Sequence, residues 1–155
     1  MKPLQTLAKP YLPFARLLEG LAPLFDLGLR LWVASVFIRS GLAKIQNWDS
    51  TLMLFQYEYD VPLLPPVLAA WTGTIAELTL PVLVALGIAG RASALALFLF
   101  NGMAVWSYSS VLLSPAGAAG LQQHILWGTM LLVTVFHGPG RLSVDHLLCR
   151  LLQSR

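Results

Sequence analysis

Residues 27–44 read LGLRLWVASVFIRSGLAK, a stretch apolar enough to enter a bilayer that nevertheless carries Arg30, Arg39 and Lys44. In water such charges cost nothing. In hydrocarbon an unpaired one costs on the order of 2.5–3.5 kcal/mol, so each needs a partner, a polar surround or a place at the boundary. The rest of the chain does not offer a soluble alternative. It is 57% hydrophobic and 11% charged, against about 25% charged in soluble domains, and its mean hydropathy is +0.71.

A spanning helix needs about 20 mostly apolar residues. Four stretches qualify, at 24–45, 67–88, 91–112 and 120–137. With 155 residues in all, the expected fold is a single all-α domain, an integral membrane four-helix bundle with short interfacial helices. Ala89-Gly90 leaves so little chain between the second and third spans that they must be antiparallel neighbours. Residues 1–23, cut by Pro13 and Pro23, read as a cytoplasmic and interfacial segment ahead of the bundle at 24–142. A helix over 48–59, rich in aromatics and followed by Pro62, Pro65 and Pro66, belongs on the opposite surface. Residues 143–155 read as a last interfacial helix, with Ser143 as its cap, Asp145 in its first turn, and Leu147, Leu148, Leu151 and Leu152 as its apolar stripe.

Lys and Arg accumulate on the cytoplasmic side of membrane proteins. Lys2, Lys9, Arg16, Arg91, Arg141, Arg150 and Arg155 all fall on one side of a four-span chain, and Asp49, Glu58 and Asp60 fall on the other. Both termini are therefore expected in the cytoplasm, with loops 46–66 and 113–119 outside. The first 20 residues lack the apolar core of a cleavable signal. The net charge of +3 comes without Lys/Arg runs, so the basic residues read as boundary markers and not as a nucleic-acid surface. The lone Cys149 rules out a disulfide within one chain and any C-x-x-C relay.

The ionisable and polar residues inside the spans are the sharpest functional signal. Arg39, Glu77 and Asn101 lie at similar depths in the first, second and third spans. Arg30 is nine residues from Arg39, about 180° around the helix, so the two arginines cannot reach one spot. The preferred pairing is Arg39 with Glu77, assisted by Asn101. The competing pairing is Arg30 with Glu77, with Arg39 snorkelling outward. The cluster Arg30, Arg39, Glu77 and Asn101 reads either as a structural salt bridge or as a polar site for a headgroup, quinone or substrate. In the second case Glu77 is the candidate proton carrier, and an arginine fork suits acidic or carbonyl-bearing ligands.

His124, Trp32 and Trp127 are weaker cofactor-binding candidates. His124 and His137 are thirteen residues apart, about 220° around a helix. No other span supplies a histidine, so a heme held within one chain is not expected. His124 reads as a polar residue facing the interface or, alternatively, an interfacial proton carrier. Trp32 and Trp127 lie deeper than Trp48, Trp71 and Trp106, where packing competes with ring stacking. No metal-ligand cluster, phosphate loop, dinucleotide fingerprint or nucleophile elbow is present. The chain shows no self-contained catalytic machinery.

Three groups of residues resemble one family. Arg30 followed by Phe37-Ile38-Arg39-Ser40-Gly41-Leu42-Ala43-Lys44 is similar to the opening helix of DoxX-type membrane proteins, with its early Arg and Gly-x-x-Lys ending. Ala76-Glu77, Leu86-Gly87 and Arg91 are similar to the family's second helix and tight turn. His137-Gly138-Pro139-Gly140-Arg141-Leu142-Ser143-Val144-Asp145 resembles its G-P-G-x-x-S-x-D ending. The resemblance covers about residues 24–147; Arg39 and the first 20 residues have no counterpart in it. It implies a four-helix protein of the bacterial inner membrane associated with redox work. Such relatives include a small subunit of a thiosulfate:quinone oxidoreductase, a protein needed for methylamine dehydrogenase production, and partners of oxidative-stress or metal-handling proteins.

The expectation is thus a subunit or accessory of a redox-linked, quinone-linked membrane complex, in contact with lipid and with a protein partner or further copies of itself. The alternatives are a quinone-reactive oxidoreductase subunit in its own right, and a transporter-like, assembly or metal-handling protein without redox chemistry. A cavity beside the polar cluster favours a ligand site, and a closed, fully paired cluster favours a scaffold.

Overall fold

The computed structural model describes residues 11–153. Lys2, Lys9 and Arg155 lie outside them. The described chain is helical, with no strand.

Helix α1 runs Tyr11–Gln46, 36 residues with Pro23 inside it. At 1.5 Å per residue it is about 54 Å long. Residues 11–23, expected as an interfacial segment ahead of the first span, are continuous with it in one helix. A proline removes one backbone bond and strains another, and a helix of this length, with leucines, alanines and charged helix formers on both sides, continues past one such defect.

Helix α2 (Trp48–Tyr57) follows after Asn47. Thr51 Oγ1 donates to the carbonyls of Lys44 and Asn47 at 3.1 and 3.0 Å, tying the start of α2 to the end of α1. Helix α3 (Pro66–Leu86) begins on a proline and ends on Gly87, which is left-handed at φ 67°. Both placements follow from backbone chemistry, since a first-turn N–H has no partner to lose and only glycine enters the left-handed region freely.

Helix α4 (Gly90–Ser107) stops at Tyr108 and is followed by a single turn, α5 (Ser109–Leu112). The continuous span expected over 91–112 is thus divided. After a 3-10 turn at Pro115–Gly117 come α6 (Ala118–His137) and α7 (Val144–Gln153). Ser143 Oγ accepts from the His146 N–H at the start of α7.

Helix α1 packs on α3 and α6, and α4 packs on α3 and α6, so the four long helices close a ring. Its centre holds Val33, Phe37, Val84, Ala94, Leu97 and Leu131. A second small core, Phe55, Ala69 and Ala70, joins α2 to α3. The outside is also apolar: Leu99 is 62%, Ile125 60% and Phe136 72% exposed. Water would penalise such a surface heavily. Two helices, Pro13–Gln46 and Pro66–Leu86, are long and apolar enough to cross a membrane.

The end of the ring where α3 turns into α4 is locked by the C-terminal segment. Arg30 is 1% exposed. Its guanidinium donates to the carbonyls of Val84 (3.3 Å), Ala85 (2.9 Å) and Leu142. The Asp145 carboxylate accepts the N–H groups of Ala89 (2.9 Å) and Gly90 (2.7 Å), capping α4 from outside its own helix.

Candidate functional site

At the opposite end, α1, α3, α4 and α6 diverge around a cavity of about 400 Å³, roofed by the segment from α2 to α3. This falls inside the range of small-molecule sites, about 300–1,000 Å³.

One pole of the cavity is an ion pair. Glu77, buried in the middle of α3, accepts from Lys44 Nζ at 2.8 Å (Oε1) and 2.7 Å (Oε2). Ser40 Oγ lies between them, donating to Glu77 Oε1 at 3.1 Å and accepting from Lys44 Nζ at 3.0 Å. The two helices come close enough for this because residue 41 is glycine. A Cβ there would sit 2.9 Å from Leu78 and 3.1 Å from the Glu77 Cβ. The pair is satisfied internally: the three ammonium hydrogens face the two carboxylate oxygens and Ser40.

The second pole is His124 on α6. Its Nδ1 lies 2.8 Å from Asn101 Oδ1, and Asn101 Nδ2 donates to the His124 carbonyl at 3.0 Å. The ring also packs edge-on to Trp127, centroids 4.8 Å apart. Besides the cavity, His124 borders a shallower groove that Asn101, Gly102 and Thr129 also line.

Between the poles the walls are largely aromatic and aliphatic, with Thr72 and Ser107 among them. Tyr59 stands edge-on to Phe55 (4.9 Å) and to Tyr108 (5.0 Å), and the Tyr108 hydroxyl donates to Glu58 at 3.2 Å. Burial pushes the Tyr59 phenol up, with Tyr108, Glu77 and Glu58 adding to the effect, so it stays protonated and remains a donor. Among the described residues no hydrogen-bond partner faces the Tyr59 hydroxyl or His124 Nε2. These two are the open polar groups of the wall.

The four residues expected to cluster therefore separate. Glu77 lines the cavity, whereas Asn101 lines the neighbouring groove and meets the cavity through its hydrogen bonds to His124. Arg39 is exposed on α1, and no described residue hydrogen-bonds to it. Glu77 is paired with Lys44 and not with Arg39 or Arg30. Arg30 belongs to the lock at the other end. Trp32 is exposed, whereas Trp127 packs on Phe37 at 5.9 Å beside the core. His124 is half-buried, held by Asn101 and Trp127, and lines both the cavity and the shallower groove. Lys44, read from sequence as a boundary marker, is the partner that the sequence reading missed. Among the described residues no group of three His, Cys, Asp or Glu side chains stands close enough to hold a metal ion.

Comparison with known proteins gives one match. The model of a family described as DoxX fits residues 25–110. That range includes Arg30, Arg39, Lys44, Glu77 and Asn101 and ends before His124. No curated protein and no solved structure matches the chain.

Proposed function

The chain belongs to the DoxX family, and from that premise we propose that it is a four-span protein of the bacterial inner membrane, serving as a subunit or accessory of a redox-linked complex and holding a quinone-class ring in the cavity between Lys44–Glu77 and His124. The observation that carries this reading is the cavity itself. A helix-packing salt bridge needs no space beside it. Here a polar pair and two open hydrogen-bonding groups border about 400 Å³ of largely aromatic and aliphatic wall, the composition of a ligand site.

Several features support the membrane arrangement. Helices α4 and α6 run alongside the two helices that are long and apolar enough to cross a membrane, and expose large apolar side chains of their own. Arg91, Arg141 and Arg150 gather at the locked end, and Asp49, Glu58 and Asp60 at the cavity end. The positive-inside rule then puts the lock in the cytoplasm and opens the cavity toward the outer leaflet. Helix α7, with Leu147, Leu148, Leu151 and Leu152 exposed, lies on the inner surface. The chain's own residues offer binding and orientation; the electrons belong to a partner protein.

The test is purification from native membranes in mild detergent, with bound quinone and copurifying proteins identified together by mass spectrometry. Quinone should accompany the wild-type protein and be depleted from a cavity-filling Ala104→Phe variant. Equal, background-level quinone in both would overturn the reading.

A further inference from the structure

The hydrogen bonds around His124 fix which nitrogen carries its proton. The His124 backbone carbonyl can only accept, so the Asn101 amide must turn Nδ2 toward it, as the 3.0 Å bond records. That leaves Asn101 Oδ1 facing His124 Nδ1 at 2.8 Å. An amide oxygen can only accept, so Nδ1 must donate. In the neutral ring Nε2 then holds a lone pair and no hydrogen. The open group on this wall is an acceptor. Tyr59 lines the same cavity, and its hydroxyl, with no hydrogen-bond partner among the described residues, can donate. At the third polar point, Lys44 and Glu77 satisfy each other and offer little to a neutral ligand.

A fully oxidised quinone ring has two carbonyl acceptors and no donor, and would set a carbonyl oxygen against the Nε2 lone pair. A hydroquinone presents O–H where the wall accepts, and an oxygen lone pair where Tyr59 donates. We propose that the cavity selects the reduced, hydroxyl-bearing form of the ring, with His124 Nε2 accepting one hydroxyl and the Tyr59 hydroxyl donating to the other oxygen. This rests on the quinone-class reading above and adds the redox form that the site prefers. Asn101 is a positioning residue, because it acts on the ligand only through the tautomer of His124. A site built for O–H discriminates strongly against an analogue lacking it, since the buried acceptor is left unpaired.

The test uses the full chain in nanodiscs, titrated anaerobically with a short-chain benzoquinone and with the same compound kept reduced. The hydroquinone should bind at least about tenfold more tightly, which is about 1.4 kcal/mol. His124→Phe should abolish the difference, and His124→Gln, which retains an acceptor, should restore part of it. Equal binding of the two forms, or tighter binding of the quinone, overturns this inference and leaves the quinone-class site standing. Binding of neither form overturns both. Nitrogen-15 spectra of histidine-labelled protein under mildly alkaline conditions supply a readout independent of any variant. A His124 ring protonated at Nδ1 supports the inference, and one protonated at Nε2 overturns it.

Discussion

Lys44 Nζ lies 2.7 Å from Glu77 Oε2 and 2.8 Å from Oε1, so the ammonium at the end of α1 closes on a carboxylate in the middle of α3. The reach follows from helix geometry. Cα–Cβ bonds tilt toward the N-terminus of a helix, and a long side chain covers the turn before its own. Lys44 therefore sits over Ser40, one turn back, and its charge enters the ring although its backbone is at the boundary.

Removing one partner strands the other. Lys44→Met or Glu77→Leu alone should lower stability by about 3–5 kcal/mol, the usual consequence of an unpaired buried charge. The double variant Lys44→Met/Glu77→Leu should recover much of that loss. Thermal unfolding of the detergent-solubilised variants gives the coupling directly, and additive losses would deny the pairing.

Arg39 provides the contrast. With no described partner, Arg39→Gln should change stability by no more than about 0.5 kcal/mol. A loss comparable to that of Lys44→Met would mean that Arg39, not Lys44, neutralises Glu77.

At the locked end, Arg30 feeds three carbonyls from one planar fork. Lysine cannot span them from a single point charge. Arg30→Lys should lower stability by about 1–3 kcal/mol through the acceptors left unsatisfied, and Arg30→Met by more. Melting curves of the two variants should rank in that order.

Asp145 caps a helix more than fifty residues earlier in the chain. Asp145→Ala should cost about 1–2 kcal/mol, the range for loss of an N-terminal cap. Hydrogen exchange should quicken at Ala89 and Gly90 first. Unchanged protection there would dismiss the cap.

Orientation is open to thiol labelling because Cys149 is the single cysteine and is exposed on α7. An impermeant maleimide should label Asp60→Cys in a Cys149→Ser background in intact cells whose outer membrane is permeable to the reagent. Native Cys149 should react only after the cells are broken. The reverse pattern would invert the chain.

The helical fold is legible in the sequence because apolar stretches of twenty residues have few other solutions, and Pro66 and Gly87 mark the ends of α3 by backbone chemistry alone. Pro23 misleads, since a proline limits a helix locally but does not dictate where a 36-residue one must end. In the site, Glu77 and Asn101 stand out as polar residues in apolar surroundings. Their partners do not, because ranking residues by backbone depth ignores side-chain reach, and Lys44 appears one turn too far out. His124 had a usable signal. Asn101 precedes Leu112 by eleven residues and His124 follows Leu113 by eleven, so a hairpin turning between them sets the two level. Arg30's three carbonyl partners carry no sequence mark, since every residue has a carbonyl.

The lock also imposes an order on synthesis. Val84 and Ala85 leave the ribosome soon after Arg30 and can accept from it early. Leu142 and Asp145 emerge only once all four long helices have been made. Until then Arg30 lacks its third acceptor, and the Ala89 and Gly90 amides wait uncapped. Leu142 and Asp145 thus fasten the first helix and the turn between α3 and α4, so a chain cut short before Leu142 keeps the four long helices but loses α7 and the latch.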